Sequence, residues 1–119
     1  MEHFYNTIQG WFDFQDIYTA AVNAAPESGA HFVEVGSWKG TSSAYMAVEI
    51  INSGKTIKFD CIDTFEGTVN EHDTDEHVKN NTLYEHFIDN MKPVAGYYVP
   101  IRSTSLEAAA QYEDASLDF

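Results

Sequence analysis

Apolar positions along the chain change between helical spacing and short continuous runs. Between residues 14 and 25 they recur at i, i+3, i+4, i+7, i+8 and i+11, which predicts an amphipathic helix that Pro26 and Gly29 end. Residues 32–35 form an apolar run too uniform to alternate, as expected of a strand covered on both faces. We predict a helix from about residue 42 to 51 and a second strand over residues 57–62. This order makes a βαβ unit, in which the two strands are parallel.

The second half of the chain continues the alternation. Apolar positions at i, i+4 and i+8 predict a helix over residues 82–91. Residues 97–102 predict a third strand, and Pro100 indicates an edge position because proline cannot donate to a strand ladder. A Thr-Ser-Leu-Glu capping box at residues 104–107 predicts the start of another helix. Residues 114–119 have the character of the start of a fourth strand.

These elements predict an α/β fold of the Rossmann-like type, with three layers (α/β/α) and a parallel sheet. The expected strand order is 3-2-1-4, with the fourth strand only begun. The chain would be a single cofactor-binding domain over residues 1–119, with an N-terminal helical segment over residues 1–29 and a βαβαβα core over residues 30–119. Because a fourth strand should cover the free side of strand 1, we expect a truncated domain or a homo-oligomer that covers this edge.

Composition and charge narrow the function classes. The 119 residues include 44% hydrophobic residues, enough for a packed core. A net charge of −13 repels phosphates and anionic lipids, so we expect a small molecule as partner and neither nucleic acid nor a membrane. The first residues show no secretory leader, which predicts a cytoplasmic protein. Cys61, the lone cysteine, is interpreted as a small buried residue of the second strand.

The turn after the first strand carries the candidate chemistry. Gly36 and Gly40 lie between a strand and a helix, where α/β proteins offer backbone N–H groups to a nucleoside-bearing ligand. Their spacing matches neither Gly-x-Gly-x-x-Gly nor a P-loop, which disfavours a diphosphate ligand. Glu34 adds a carboxylate that suits an ammonium or sulfonium group. Asp63 ends the second strand at the same sheet edge, where nucleoside-binding folds hold ribose hydroxyls.

Two stretches carry a family resemblance. Residues 33–43 contain a Glu-x-Gly-x-x-x-Gly turn, and residues 60–67 read Asp-x-x-Asp-Thr-Phe-x-Gly. Both resemble class I S-adenosylmethionine-dependent methyltransferases of the cephalosporin-hydroxylase-like and macrocin-type O-methyltransferase branch. The resemblance implies S-adenosylmethionine as cofactor, S-adenosylhomocysteine as product, and a small-molecule hydroxyl or similar acceptor. The cofactor-binding residues that it implies, with Asp63 on the ribose and Ser103 beside the adenine, are Glu34, Gly36, Ser37, Gly40, Ser42, Asp63, Thr64 and Ser103.

Three functional interpretations are open. The chain is a methyltransferase or its cofactor-binding half, a non-catalytic nucleoside-binding or protein-interaction module, or an NAD-type Rossmann enzyme. The missing Gly-x-Gly-x-x-Gly disfavours the last of these. No catalytic residue is assigned.

Two further stretches have alternative interpretations. Residues 66–77 are interpreted as a solvated acidic loop, and divalent-metal ligation that includes His72 and His77 is the alternative. No recognised metal-ligand spacing occurs there, so no metal site is assigned. Trp11 and Phe12 are interpreted as caps on the core, with a position near the ligand site as the alternative.

Overall fold

The computed structural model describes residues 1–66 and 81–119, which form a three-stranded parallel sheet and four helices. The strands are β1 (Ser28–Val35), β2 (Thr56–Asp63) and β3 (Val99–Arg102). The helices are α1 (Gln15–Ala24), α2 (Thr41–Ser53), α3 (Leu83–Asn90) and α4 (Ser105–Ala109), with 3₁₀ turns at Tyr5–Thr7 and Lys92–Val94. None of the helices in these two ranges is long and apolar enough to cross a membrane. The described chain is thus a small α/β domain, as the apolar pattern predicts.

The middle strand of the sheet is β2, and β1 and β3 pair with it in parallel on either side. The edge position that Pro100 indicates for β3 is therefore confirmed. Glu34 of β1 pairs with Cys61 of β2, two positions before β2 ends at Asp63. The predicted meeting of Glu34 and Asp63 at the carboxyl edge of the sheet is confirmed as well.

The core lies between one face of the sheet and the helices α1, α2 and α3. Phe32 of β1 and Phe59 of β2 belong to it and are 1% and 2% exposed. The centre is filled by α2, whose residues Ala44, Ala47 and Val48 are fully buried. Their small side chains let α2 pack closely against the sheet.

The opposite face of the sheet, on the side of α4, carries a buried polar cluster. Asp60 of β2 is 2% exposed, and its Oδ2 lies 2.7 Å from His31 Nε2. The hydroxyl of Tyr112 donates to the same oxygen at 2.7 Å. Burial and the bond to Asp60 raise the pKa of the Tyr112 phenol. The cluster ties the segment after α4 to both β1 and β2.

The last residues of the chain lie along the edge of β1 that β2 leaves free. Asp118 N donates to His31 O and Val33 N donates to Phe119 O, each at 2.9 Å. The ring of Phe119 packs against Phe32 with a centroid distance of 5.5 Å. This is the side on which a fourth strand is predicted, although residues 114–119 do not form a regular strand.

Helix α1 differs most from its prediction. Its only residue that is fully buried is Val22, whereas Phe14 and Ile17, two positions of the predicted apolar face, are 51% and 53% exposed. Phe14 lies just outside the helix as its N-terminal cap residue. The cause is the position of α1 beside the free edge of β1, shown by the contact between the Tyr18 and Phe119 rings at 5.7 Å. Only part of the apolar face of α1 therefore reaches the core.

All three strands begin at other residues than predicted, β2 by a single residue at Thr56. The first strand begins at Ser28 rather than residue 32, and its pairing with β2 is irregular around Gly29, whose φ is +88°. The third begins at Val99 rather than residue 97. Tyr97 N donates to Val94 O, so this residue completes a turn and does not pair with β2.

Candidate ligand-binding site

The loop of residues 36–40 joins the end of β1 to the start of α2. Gly36 and Gly40 have φ values of +87° and +101°, in the left-handed region that favours glycine. Gly36 N donates to Ile62 O at 2.8 Å, which folds the loop over the end of β2. Gly40 N donates to Ser37 O at 2.9 Å directly before α2. The loop therefore brings the positive end of a 13-residue helix to the carboxyl edge of the sheet.

Asp63 holds this loop in place from the end of β2. Its Oδ2 accepts a hydrogen bond from Trp38 N at 2.7 Å, and its Oδ1 accepts one from Phe65 N at 2.9 Å. Trp38 and Phe65 have φ values of +49° and +56°, which residues with side chains rarely adopt. A carboxylate offers about four acceptor positions. Asp63 can therefore hold both N–H groups and still accept hydrogen bonds from a ligand.

Glu34 lies beneath the loop. The residue is 8% exposed, and its carboxylate accepts hydrogen bonds from the Tyr18 hydroxyl at 2.8 Å and from the Ser43 hydroxyl. Since Tyr18 belongs to α1 and Ser43 to α2, Glu34 joins both helices to β1. Burial and the neighbouring Glu34 charge raise the pKa of the Tyr18 phenol well above its ordinary value of 10.0. These partners are structural, and direct contact of Glu34 with a cofactor stays a prediction.

Ser37 of the loop lies beside Cys61 of β2. Cys61 is fully buried, as predicted, and burial followed by the Glu34 charge raises the pKa of its thiol. A thiol held protonated in this way is a poor nucleophile. Ser37 is 3% exposed, and its hydroxyl, beside this thiol, makes no hydrogen bond of good geometry with a described residue. A buried hydroxyl without such a bond costs free energy, so Ser37 is suited to bind a polar ligand group.

Three neighbouring cavities follow the carboxyl edge of the sheet. The first, of about 260 Å³, is lined by Gly10, Trp11, Gly36, Ser37, Trp38, Thr41 and Ser42. The second, of about 150 Å³, is lined by Val35, Gly36, Ile62, Asp63, Thr64, Ser103 and Ser105. The third, of about 340 Å³, is lined by Thr64, Glu66, Arg102, Ser103, Thr104 and Glu107. Gly36 borders the first and second cavities, and Thr64 and Ser103 border the second and third.

Most of the predicted cofactor-binding residues line the first or second cavity. These are Gly36, Ser37, Ser42, Asp63, Thr64 and Ser103. The exceptions are Glu34, which lies beneath the loop, and Gly40, which faces α3. A Cβ on Gly40 would lie 3.2 Å from both Met91 Sδ and Phe87 Cδ2. Gly40 therefore serves the close packing of the loop against these two side chains.

Two residues before α1, Gly10 and Trp11, complete the first cavity. A Cβ on Gly10 would clash with Thr41 Oγ1, so the segment approaches the start of α2 more closely than a larger residue allows. The predicted role as a core cap agrees with the half-buried position of Phe12, whose ring lies 4.9 Å from that of Tyr18. It is wrong for Trp11, which is 80% exposed. The only feature of the sequence that could have indicated a place for Gly10 and Trp11 at the site is a glycine next to an aromatic residue, outside the helical pattern.

The cavities differ in charge. No charged side chain lines the first cavity, whereas two carboxylates and Arg102 line the third. Lys39, 1% exposed, does not itself line the first cavity: its Nζ donates to Gln9 Oε1 at 2.9 Å and lies 4.8 Å from the ring centroid of Trp38, a lining residue. The loop lysine therefore supports the N-terminal segment. A cavity without a lining cation favours a neutral or cationic ligand group over a phosphate.

Another cavity, of about 270 Å³, lies at the opposite, amino end of β2 and β3. The ammonium of Lys55, one of its lining residues, donates to the carbonyl oxygens of Val22, Asn23 and Ala25 at 2.7 to 3.0 Å. These carbonyls belong to the end of α1, where a cation offsets the negative helix end. Lys55 thus has a structural role.

His72 and His77, the alternative metal ligands, lie outside the described residues. Within residues 1–66 and 81–119, no group of three or more His, Cys, Asp or Glu side chains is placed to hold a metal ion. No protein-family model matches the chain, and no curated protein matches it as a relative. Its function has to be inferred from the geometry of the carboxyl edge.

Proposed function

We propose that this chain is the cofactor-binding part of a class I S-adenosylmethionine-dependent methyltransferase that acts on a small-molecule hydroxyl or similar acceptor. The observation that supports this most is the position of Gly36. It directly follows β1, donates its N–H to Ile62 O next to Asp63, and borders the first and second cavities. A nucleoside that carries a charged amino-acid end fits such an edge, because its two parts have different cavities to occupy.

The residues that are present fit this cofactor. A Cβ on Gly36 would meet no atom within 4 Å, so the space beside it is open to a ligand. In the proposal, Asp63 accepts hydrogen bonds from the ribose hydroxyls, and Ser103 borders the adenine. Ser37 and Ser42 donate to the methionine part, whose carboxylate lies near the positive end of α2.

S-Adenosylmethionine supplies a methyl group on a sulfonium, a good leaving group. The contribution of the chain is alignment: the loop and Asp63 hold the nucleoside while the first cavity leaves room for the acceptor atom. The described side chains that line the first cavity include no His, Asp, Glu or Lys that would act as a general base. The base therefore has to come from outside this lining, and no residue is assigned to the role.

A Rossmann-like sheet with strand order 3-2-1-4 is part of the same proposal. The three parallel strands with β2 in the middle support it, as do the hydrogen bonds that Asp118 and Phe119 make with the free edge of β1. In this arrangement residues 117–119 begin the fourth strand. Hydrogen exchange of the Val33 amide tests it: the amide should be protected, and deletion of residues 117–119 should remove that protection.

Calorimetric titration of the 119-residue chain with S-adenosylmethionine, with NAD as the control ligand, tests the cofactor assignment. Saturable binding of S-adenosylmethionine alone is the expected result. A preference for NAD would favour a nicotinamide enzyme instead. Absence of binding to both would favour a non-catalytic interaction module. Formation of S-adenosylhomocysteine with candidate acceptors then separates an enzyme from a cofactor-binding module.

A further inference from the structure

Trp11 is the most exposed of the large apolar side chains that line the first cavity, with 80% of its surface open to solvent. The close approach of Gly10 to Thr41 holds its backbone at the rim of the cavity. The ring of Phe14 meets the indole edge-on, with a centroid distance of 6.4 Å. An indole that is open to water would be stabilised by contact with a ligand. Trp11 is therefore placed to contact whatever enters the first cavity.

The surroundings of this indole favour a cation. The face of a tryptophan ring attracts a cation within about 6 Å of its centroid. The chain already contains one such pair, because Lys39 Nζ lies 4.8 Å from the Trp38 ring centroid. The lining of the first cavity carries no charged side chain, and the net charge of −13 attracts cations to the whole surface.

We propose that Trp11 determines the specificity of this site for a cationic ligand by placing its π face on the sulfonium of S-adenosylmethionine. This inference rests on the proposed function. A ligand whose ribose lies at Asp63 passes Gly36 as it enters the first cavity, because Gly36 borders both cavities. The sulfonium follows the ribose in the cofactor, so it lies at this junction, with Trp11 in the same cavity wall.

The product of methyl transfer, S-adenosylhomocysteine, has a neutral thioether in place of the sulfonium. It loses the cation–π attraction and keeps every other contact with the loop and Asp63. Trp11 thus favours the charged cofactor over the spent product. The consequence for turnover is that product is displaced more readily by fresh cofactor.

Separate calorimetric titrations with S-adenosylmethionine and S-adenosylhomocysteine test this role. The proteins compared are the full chain, Trp11→Phe and Trp11→Leu, with Leu106→Ala as the control. Leu106 is 82% exposed and does not line the first cavity. The affinity for S-adenosylmethionine should fall in the order Trp, Phe, Leu, by about three- to thirty-fold for leucine. The affinity for S-adenosylhomocysteine should stay nearly constant across the series, and Leu106→Ala should change neither.

The outcomes separate the two proposals. Equal losses for both ligands, or no loss for either, would overturn the role of Trp11 and leave the cofactor assignment in place. Failure of the unsubstituted chain to bind either ligand would overturn the proposed function and this inference with it. Because Trp11 is exposed, we expect all variants to fold. Circular dichroism checks this. If the leucine variant does not fold, the affinities of the phenylalanine variant for the two ligands, compared with those of the full chain, still test the role of Trp11.

Discussion

The two ends of β1 carry glycines in the same backbone conformation but in different surroundings. Gly29 and Gly36 have φ values of +88° and +87°, and a Cβ on either would meet no atom within 4 Å. At Gly29 the pairing with β2 is irregular, and the strand starts with exposed residues. At Gly36 the loop is bound to β2, Asp63 holds the following residues, and two cavities open. A left-handed glycine marks a turn, and its neighbours decide whether the turn can bind a ligand.

The same contrast holds for the charged groups at the two edges of the sheet. At the amino edge, Lys55 directs its ammonium to three carbonyl oxygens at the end of α1. At the carboxyl edge, Asp63 binds two N–H groups and keeps acceptor positions for a ligand. In a parallel α/β fold the positive helix ends meet at the carboxyl edge, and the negative ends meet at the amino edge. Groups that can bind a ligand are therefore concentrated at the carboxyl edge of the sheet.

Substitution of valine for the glycine near each end of β1 gives the largest expected difference in ligand affinity between the two edges. Gly36→Val and Gly29→Val should each lower the free energy of unfolding by about 1–2 kcal/mol, because both force a side chain into the left-handed region. Only Gly36→Val should abolish binding of S-adenosylmethionine, since its side chain enters the space beside the two cavities. Urea unfolding and calorimetry measure the two effects. Unchanged affinity in Gly36→Val would remove the loop from the site.

Removal of the carboxylate that ends β2 gives the next largest effect. Asp63→Ala should weaken binding of S-adenosylmethionine by about 1–3 kcal/mol, the scale of charge-assisted hydrogen bonds to the ribose. Asp118→Ala is the matched control, because Asp118 Oδ2 also accepts a backbone hydrogen bond, from His31 N at 2.9 Å. It lines none of the three cavities, so affinity should be unchanged. Undiminished affinity in Asp63→Ala would mean that the ribose is held elsewhere.

The smallest expected effect concerns the hydrogen bond beneath the loop. Tyr18→Phe removes the bond to Glu34 and should lower the free energy of unfolding by about 1 kcal/mol at neutral pH. The raised pKa of Tyr18 adds a pH dependence. Above pH 10.0 the unfolded chain loses the phenol proton while the folded chain retains it, so stability falls as the pH rises.

Urea unfolding at a series of pH values from neutral to above 10.0 measures this slope. Tyr18→Phe should make it shallower without abolishing it, because burial and Asp60 raise the pKa of Tyr112 as well. Tyr112→Phe, on the opposite face of the sheet, is the matched variant and should remove a further part, while the pKa values of Cys61 and Tyr98, raised by burial, account for the remainder. A slope that Tyr18→Phe leaves unchanged would contradict the coupling between Tyr18 and Glu34.

The sequence predicted those parts of the fold that depend on neighbours in the chain. Helical spacing and apolar runs located the helices and strands, because both patterns repeat within a few residues. The helix start predicted at residues 104–107 is confirmed, since Thr104 is the N-cap of α4 and its Oγ1 accepts a hydrogen bond from Glu107 N at 3.2 Å. The strand–glycine–helix order located the loop of residues 36–40, and the βαβ order brought Asp63 to the same edge. The starts of β1 and β3 and the burial of Phe14 and Ile17 were predicted wrongly, because they depend on packing between distant segments.

The sequence by itself thus determined the α/β class, the loop and the shared edge of Glu34 and Asp63. Only the tertiary structure decided that Glu34 lies buried under Tyr18 and Ser43, and that Trp11 borders the first cavity. These contacts join residues that are far apart in the chain, and a local sequence pattern does not predict which distant residue a side chain will contact. A carboxylate at a strand end looks the same in sequence whether it holds a helix or binds a ligand. Packing of the helices against the sheet makes that choice.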